Sequence, residues 1–174
     1  MTDRIRGARR FVLAALLSLV AVPFVHTALE AQAVPGGTKK IDPCTLLTKA
    51  EIQEILGLPV KNGKLNTTAN AAVGQPCQYV VGDYGAFSIL VKTAGPGETA
   101  DAIMAGLAKS KIKTEAAPGF GDRSFFAFPG YGMLQLNTFK GTHYVIMTLL
   151  VPGKTEDSQK APAGKLMQKV LAKI

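Results

Sequence analysis

The two cysteines offer the most definite chemistry in this 174-residue chain. Cys44 and Cys77 lie 33 positions apart, whereas reactive thiol pairs usually occupy a Cys-x-x-Cys motif at the start of a helix. Two cysteines in a small domain outside the cytoplasm usually pair. We therefore expect a structural disulfide, with a redox pair or a metal site as alternatives. Closure of this loop should stabilise the fold by roughly 3–4 kcal/mol.

Catalytic side chains are sparse beyond residue 33. The one histidine there, His143, lies beside Val145 in an apolar segment and is more typical of a strand edge or a core position. The sequence has no Gly-x-Ser-x-Gly elbow, no Walker-type phosphate loop and no His-Glu-x-x-His motif. Its carboxylates would permit paired-acid chemistry, but most are explained by helix caps and solvated helix faces. We therefore expect a protein that is not an enzyme and needs no cofactor or metal.

Aromatic and glycine residues concentrate between residues 118 and 131, around the one arginine beyond residue 33. We predict that a binding groove forms here for a glycan, a lipid tail or a partner peptide, with Phe120, Asp122, Arg123 and Tyr131 as its candidate residues. Alternatively, the phenylalanines of this segment belong to the core and Asp122 pairs with Arg123 in a turn.

Residues 1–33 have the three parts of a secretory signal peptide. A basic head precedes an apolar run over residues 11–25, and Ala31-Gln32-Ala33 is a small-x-small cleavage site. The apolar run of 15 residues is shorter than the roughly 20 that a membrane-spanning helix needs. We expect cleavage before Val34 and a secreted or periplasmic protein. An anchor formed by an uncleaved N-terminal helix is the alternative.

The charge balance indicates which partners to expect. Beyond residue 33 the chain has 16 basic and 10 acidic residues, and 15 of the basic residues are lysines spread along the sequence. Nucleic-acid sites rely on arginine for bidentate contacts, so we expect no nucleic-acid partner. A solvated basic surface is the simplest interpretation, with attraction to anionic envelope polymers or lipid head groups as the alternative. Membrane contact after cleavage is expected to be peripheral or absent, and the oligomeric state is left open.

Hydrophobic periodicity predicts the elements that position these residues. Residues 34–41 are typical of a flexible linker, and residues 42–174 of one domain. Thr48 and Glu51 form a capping box for a helix that ends at Gly57. Further helices are expected from about Thr99 and from near Pro162. Strands are predicted at Gln78–Val81, Ala86–Thr93, Ser124–Phe128, Met133–Phe139 and His143–Val151, with a possible strand within Val60–Thr68.

These elements predict the α+β fold class: an antiparallel sheet of about five to six strands with about three helices on one face. The last strand is apolar on both faces and should be central. A strand followed by Pro96-Gly97 and a helix is echoed by a strand followed by Pro152-Gly153 and a helix. This repetition suggests an internal strand–helix duplication.

Several short motifs carry a family resemblance. They are Asp42-Pro43-Cys44, Leu46-Leu47-Thr48, Cys77-Gln78-Tyr79, Gly119-Phe120-Gly121-Asp122 and the hairpin through Lys140-Gly141. Together they resemble the small secreted or lipid-anchored bacterial domains of unknown function from actinobacterial envelopes, related to extracellular sensor domains of membrane kinases. The lipidation cysteine of those domains is missing here.

The resemblance covers most of residues 42–174 and supplies no catalytic residues. It implies an envelope location and a binding or sensing role, with an envelope protein, a glycan or a lipid as the partner. We therefore expect an exported non-enzymatic envelope domain. A small carboxylate-dependent hydrolase or transferase acting on an envelope polymer is the alternative.

Overall fold

The computed structural model describes residues 41–70 and 73–174. The predicted signal peptide and all but the last residue of the predicted linker lie outside the described residues. All described residues belong to one compact unit.

Seven antiparallel strands of the described part form one sheet in the order β1-β2-β3-β7-β6-β5-β4. The strands are β1 Lys64–Leu65, β2 Cys77–Val81, β3 Gly85–Thr93, β4 Lys113–Ala116, β5 Arg123–Gly130, β6 Met133–Lys140 and β7 His143–Leu150. The helices are α1 Lys49–Leu56, α2 Ala100–Lys109 and α3 Glu156–Leu171, and a 3₁₀ turn covers Pro43–Thr45. The α+β class with three helices and the central position of β7 are confirmed.

The expected strand number was too low because the two edge strands are short. β4 has the sequence Lys-Thr-Glu-Ala, which lacks the apolar alternation of a half-buried strand. β1 has only two residues, both exposed, within the segment where a strand was considered. Pairing with a neighbouring strand, rather than local pattern, defines both elements.

Helix α1 forms where the capping signals predict it. The Thr48 Oγ1 accepts from the Glu51 backbone N–H at 3.2 Å, and the Glu51 carboxylate accepts from the Thr48 N–H at 2.8 Å. This backbone hydrogen bond, helped by Lys169 of α3 and by Lys173 just beyond its end, lowers the pKa of Glu51 to about 2. Gly57 ends the helix with a φ of 70°, a conformation that glycine adopts without strain.

Helices α1 and α3 cover one face of the sheet, which we call the closed face. Alternate residues of each strand point to this side, and they form the main core with the apolar sides of the two helices. Its largest fully buried side chains include Phe87, Leu136, Met147 and Leu166.

Helix α2 lies on the opposite face, so the expectation that all helices share one face was wrong. It packs on β4, β5 and β6, over a smaller core that includes Phe125, Phe139 and Tyr144. The apolar side of α2, formed by Ile103, Met104 and Leu107, faces this core. Outward-facing aromatic residues in β5, β6 and β7 create a second apolar patch that needs its own cover.

Helix α3 begins six residues before Pro162, so the predicted start was wrong. The Thr155 side chain caps it by accepting from the Ser158 N–H, and two acidic residues follow in the first turn. Gln159 is fully buried in this first part of the helix. Its Oε1 accepts from the Val151 N–H at 3.0 Å, and its Nε2 donates to the Gly132 carbonyl at 2.8 Å. These contacts hold the turn of helix that precedes the proline.

Strand β5 extends beyond its predicted end at Phe128. β5 continues through Gly130 with an irregular register after Ala127, and the turn falls at Tyr131 and Gly132. The two Pro-Gly turns after β3 and β7 are alike, with φ values of 75° at Gly97 and 70° at Gly153. However, the helices that follow them cover opposite faces. The internal duplication stays a hypothesis.

Candidate functional site

The predicted disulfide between Cys44 and Cys77 is present, and the described residues include no free cysteine. Cys77 is fully buried, and a Cβ atom placed on Gly63 would lie 2.8 Å from its sulfur. The Tyr79 hydroxyl donates to the Leu47 carbonyl at 3.0 Å beside it. The bridge therefore ties the segment that leads into α1 to strand β2, which is a structural role.

Phe120 is a packing residue rather than part of an exposed groove. Its ring rests on α3, where a Cβ atom placed on Gly164 would lie 2.8 Å from Cζ of the ring. Phe126 and Phe128 point to the same closed face, with the Lys160 ammonium 5.6 and 5.2 Å from their ring centres. Phe125 is fully buried on the other face, beneath α2. Phenylalanines at 125–128 thus belong to two cores.

The polar candidates of this segment are also separated. Arg123 pairs with Asp101 of α2 at 2.8 Å, and both side chains are largely exposed. Asp122 accepts from the Gly141 N–H at 2.6 Å, so the alternative pairing of Asp122 with Arg123 was wrong as well. Tyr131 is 94% exposed at the other end of β5 from Arg123, about 25 Å away at the strand rise per residue. The predicted groove is therefore not assembled.

On the α2 side of the sheet, none of the described helices covers a different surface, which extends across β2, β3, β7 and the start of β6. We call it the open face and define it by seven residues: Gln78, Val80, Ala86, Ser88, Met133, Thr148 and Leu150. All seven are exposed or half-buried. They line a shallow concavity of about 580 Å³, which is within the usual size range of ligand sites.

The strand register arranges the open face in two parallel rows. Val80 lies opposite Ala86, and Ala86 lies opposite Leu150. The register of β6 and β7 continues this apolar row to Met133. The adjacent row is polar and runs through Gln78, Ser88, Thr148 and Gln135.

Both rows end at lysines on the β1 side of the sheet. Lys64 pairs with Gln78 at the end of the polar row. The Lys61 backbone N–H donates to the Val80 carbonyl at 3.0 Å, at the end of the apolar row. Both lysines line the concavity, and no carboxylate lines it. Neither lysine forms an ion pair within the described part of the chain.

The sequence prediction missed this surface. Polar side chains at alternate positions of β2 and β3 are typical of a plain solvated face. A signal was nevertheless available, because Val80 and Leu150 are apolar at positions that point away from the main core. Their neighbours across the sheet could not be assigned without the register.

Two other concavities each include few side chains that could act in catalysis. One of about 420 Å³ beside Leu65 and Val91 includes Asp42, whose carboxylate accepts from the Cys44 N–H at 2.8 Å. Another, at the end of α1, includes Glu54. Each has a single carboxylate. His143 is half-buried at the start of β7, opposite Thr93 and Lys140.

Within residues 41–70 and 73–174, no cluster of three or more His, Cys, Asp or Glu side chains is placed to hold a metal ion. In the same ranges, no helix has the length and apolar character needed to cross a membrane. Burial raises the pKa of Tyr144, whose hydroxyl donates to Asn137 at 2.8 Å. This pair lies under α2 and is part of the smaller core.

Comparisons with known proteins do not assign the chain to a family. No protein-family model, no curated protein and no solved structure matches it.

Proposed function

We propose that this chain is an exported, non-enzymatic envelope domain that binds a partner or ligand through the open face of its sheet. The open face is the observation that carries this proposal. Most of the sheet is covered by helices, yet this region combines exposed apolar side chains, a row of hydrogen-bonding groups and two lysines that form no ion pair with any described residue. An apolar row at exposed and half-buried strand positions favours contact with a partner or a ligand.

Export is supported by the form of residues 1–33 and by the Cys44–Cys77 disulfide, which is stable outside the reducing cytoplasm. Membership in the actinobacterial-type envelope family rests on the motifs quoted above. The internal duplication rests on the two Pro-Gly turns. These finer statements are part of the proposal.

Binding is favoured over catalysis by the distribution of carboxylates. A carboxylate-dependent hydrolase needs two acids that face one substrate across a short distance. Asp42 and Glu54 lie in separate concavities, and the open face has lysines but no acid. No observation on the described residues favours the hydrolase alternative.

Site-specific photocrosslinking of the full chain in its native host tests the proposal. A photoreactive residue at Ser88 or Thr148 on the open face should give a cross-linked envelope component. The same residue at Gln53 or Gln168, exposed positions on α1 and α3, is the matched control and should give none. Equal products from all four positions would contradict binding at the open face.

Mass spectrometry of the protein recovered from that host tests the compartment. We expect a mature N-terminus at Val34 in the secreted or periplasmic fraction. Recovery of the intact chain from Met1 in the membrane fraction would establish the anchored alternative.

A further inference from the structure

The apolar row of the open face has the dimensions of a hydrocarbon chain. Val80, Ala86, Leu150 and Met133 lie side by side on four neighbouring strands, so the row crosses three inter-strand spacings, or about 14 Å. Val80 is 40% exposed. An extended alkyl chain laid at right angles to the strands would cover all four side chains and remove them from water.

The polar row lies beside the apolar row and would not need to contact the alkyl chain. Gln78, Ser88 and Thr148 offer amides and hydroxyls along one flank of the apolar row, where a ligand with a single chain leaves them in contact with water. The rings of Tyr79 and Phe87, which also border the concavity, are buried on the closed face. The open face therefore lacks the exposed aromatic platform that sugar rings stack on.

The two lysines place a positive charge at one end of the row only. Lys61 lies at its β1 end, and Lys64 ends the neighbouring row. At the opposite end, Met133 lies beside the exposed turn of Tyr131 and Gly132. A ligand that satisfies this surface has an anionic group at one end and an apolar chain at the other.

We infer that the open face binds a single-chain amphiphilic anion as a monomer, with its hydrocarbon chain along the apolar row and its carboxylate or phosphate between Lys61 and Lys64. This inference rests on the proposed binding role of the open face and names the class of ligand. The protein binds the dissolved anion and not a lipid that is part of a membrane surface. The head group and the chain contribute separately to affinity.

Calorimetric titration of the exported protein with dodecanoate, below its micelle concentration, tests this inference. Shortening the ligand to octanoate should weaken binding roughly tenfold, since about half of each added methylene is buried in a shallow groove. Dodecyl phosphate should bind like dodecanoate. Dodecanol should bind more weakly, and dodecylamine should not bind measurably.

Variants separate the two parts of the ligand. Lys61→Gln and Lys64→Gln should each weaken dodecanoate binding by roughly three- to tenfold while dodecanol binding stays constant. Lys109→Gln, at an exposed position at the end of α2, is the control and should change neither. Val80→Asn should weaken both ligands, and its unfolding transition should match that of the wild type.

Two outcomes would overturn the inference. One is binding of dodecanoate that is insensitive to Lys61, Lys64 and Val80. The other is binding to anionic phospholipid vesicles, or self-association through Val80, without binding of the monomeric anion. If photocrosslinking from Ser88 succeeds while dodecanoate fails to bind, the ligand class is wrong and the binding role stands. If both fail, the proposed function fails with it.

Discussion

The closed face and the open face of the sheet differ in how they are held. On the closed side, the disulfide fixes the segment before α1, and Lys173, two residues beyond the end of α3, donates to the Leu46 carbonyl at 2.7 Å. Lys140 of β6 donates to the carbonyls of Leu171 and Ile174 at 2.6 and 2.7 Å, at the end of α3. No helix among residues 41–70 and 73–174 covers the open face. Because these contacts lie on the closed side, the open face can adjust to a ligand without disturbing them.

The largest effect is expected from truncation on the closed face. Phe87→Ala should reduce the free energy of unfolding by about 3–5 kcal/mol, because it leaves a cavity in the main core. Val80→Ala, on the neighbouring strand but on the open face, is the matched variant and should cost less than about 1 kcal/mol. Urea unfolding of both proteins gives the two values. Similar losses would mean that the open face is also packed.

The second prediction concerns the disulfide. Replacing Cys44 and Cys77 by serine should reduce stability by roughly 3–4 kcal/mol, because the unfolded chain regains the freedom of the closed loop. The thermal midpoint should fall by several degrees or more. In the unaltered protein both cysteines should react with alkylating reagents only after reduction. Reactive thiols before reduction would contradict the structural role.

Gln159 is expected to show the third effect. Gln159→Leu should cost about 2 kcal/mol, because it leaves the Val151 N–H and the Gly132 carbonyl buried without their partner. The exposed Gln168 of the same helix is the control, and Gln168→Leu should stay within about 0.5 kcal/mol of the wild type. Thermal denaturation of the two variants gives both changes in the free energy of unfolding. If Gln159→Leu left the free energy of unfolding unchanged, water would have to replace these hydrogen bonds.

Glu51 should make stability depend on pH at the acidic end. Its folded pKa of about 2 lies below the ordinary value of 4.5, so the unfolded chain binds the proton first. The stabilisation is therefore complete above about pH 4.5 and is lost as the pH falls toward 2. Because the carboxylate is partly exposed, we expect Glu51→Gln to cost only about 1 kcal/mol at neutral pH.

The difference between wild type and Glu51→Gln should shrink over that window when stability is measured by denaturant unfolding at successive pH values. Glu54→Gln, on an exposed position of the same helix, is the control. A constant difference from pH 7 to pH 2 would contradict the role of the capping hydrogen bond.

Arg123→Ala should show the smallest effect. The Arg123–Asp101 pair is exposed, and such pairs contribute about 0–1 kcal/mol. The free energy of unfolding, measured by thermal denaturation, should change by less than about 0.5 kcal/mol. Photocrosslinking from Ser88 should be unaltered. Loss of cross-linking in this variant would restore residues 118–131 as a recognition surface and remove the contrast between the two faces.

Local signals predicted much of this fold. The capping box of Thr48 and Glu51 defines α1 because its hydrogen bonds join residues three positions apart. The alternating apolar residues of β3, β6 and β7 likewise record which side of the strand is buried. The disulfide was predicted from the expected export and from the spacing of the two cysteines.

The candidate site was not predictable in the same way. Phe120 and Arg123 are neighbours in sequence, but they contact different helices on opposite faces of the sheet. Conversely, Val80 and Met133 are far apart in sequence and belong to one apolar row only through the register of four strands. The second core under α2 also depends on that register, because Phe125, Phe139 and Tyr144 come from three strands.

The two edge strands of the sheet affect how readily the protein aggregates at high concentration. An unpaired edge strand can template the addition of another copy, and repeated addition yields fibrils. Here the edges are β1, with two residues including Lys64, and β4, with four residues including Lys113 and Glu115. Short, charged edges are poor templates for such growth. A variant that lengthened β1 back toward Val60 would remove this protection and should aggregate as its concentration rises.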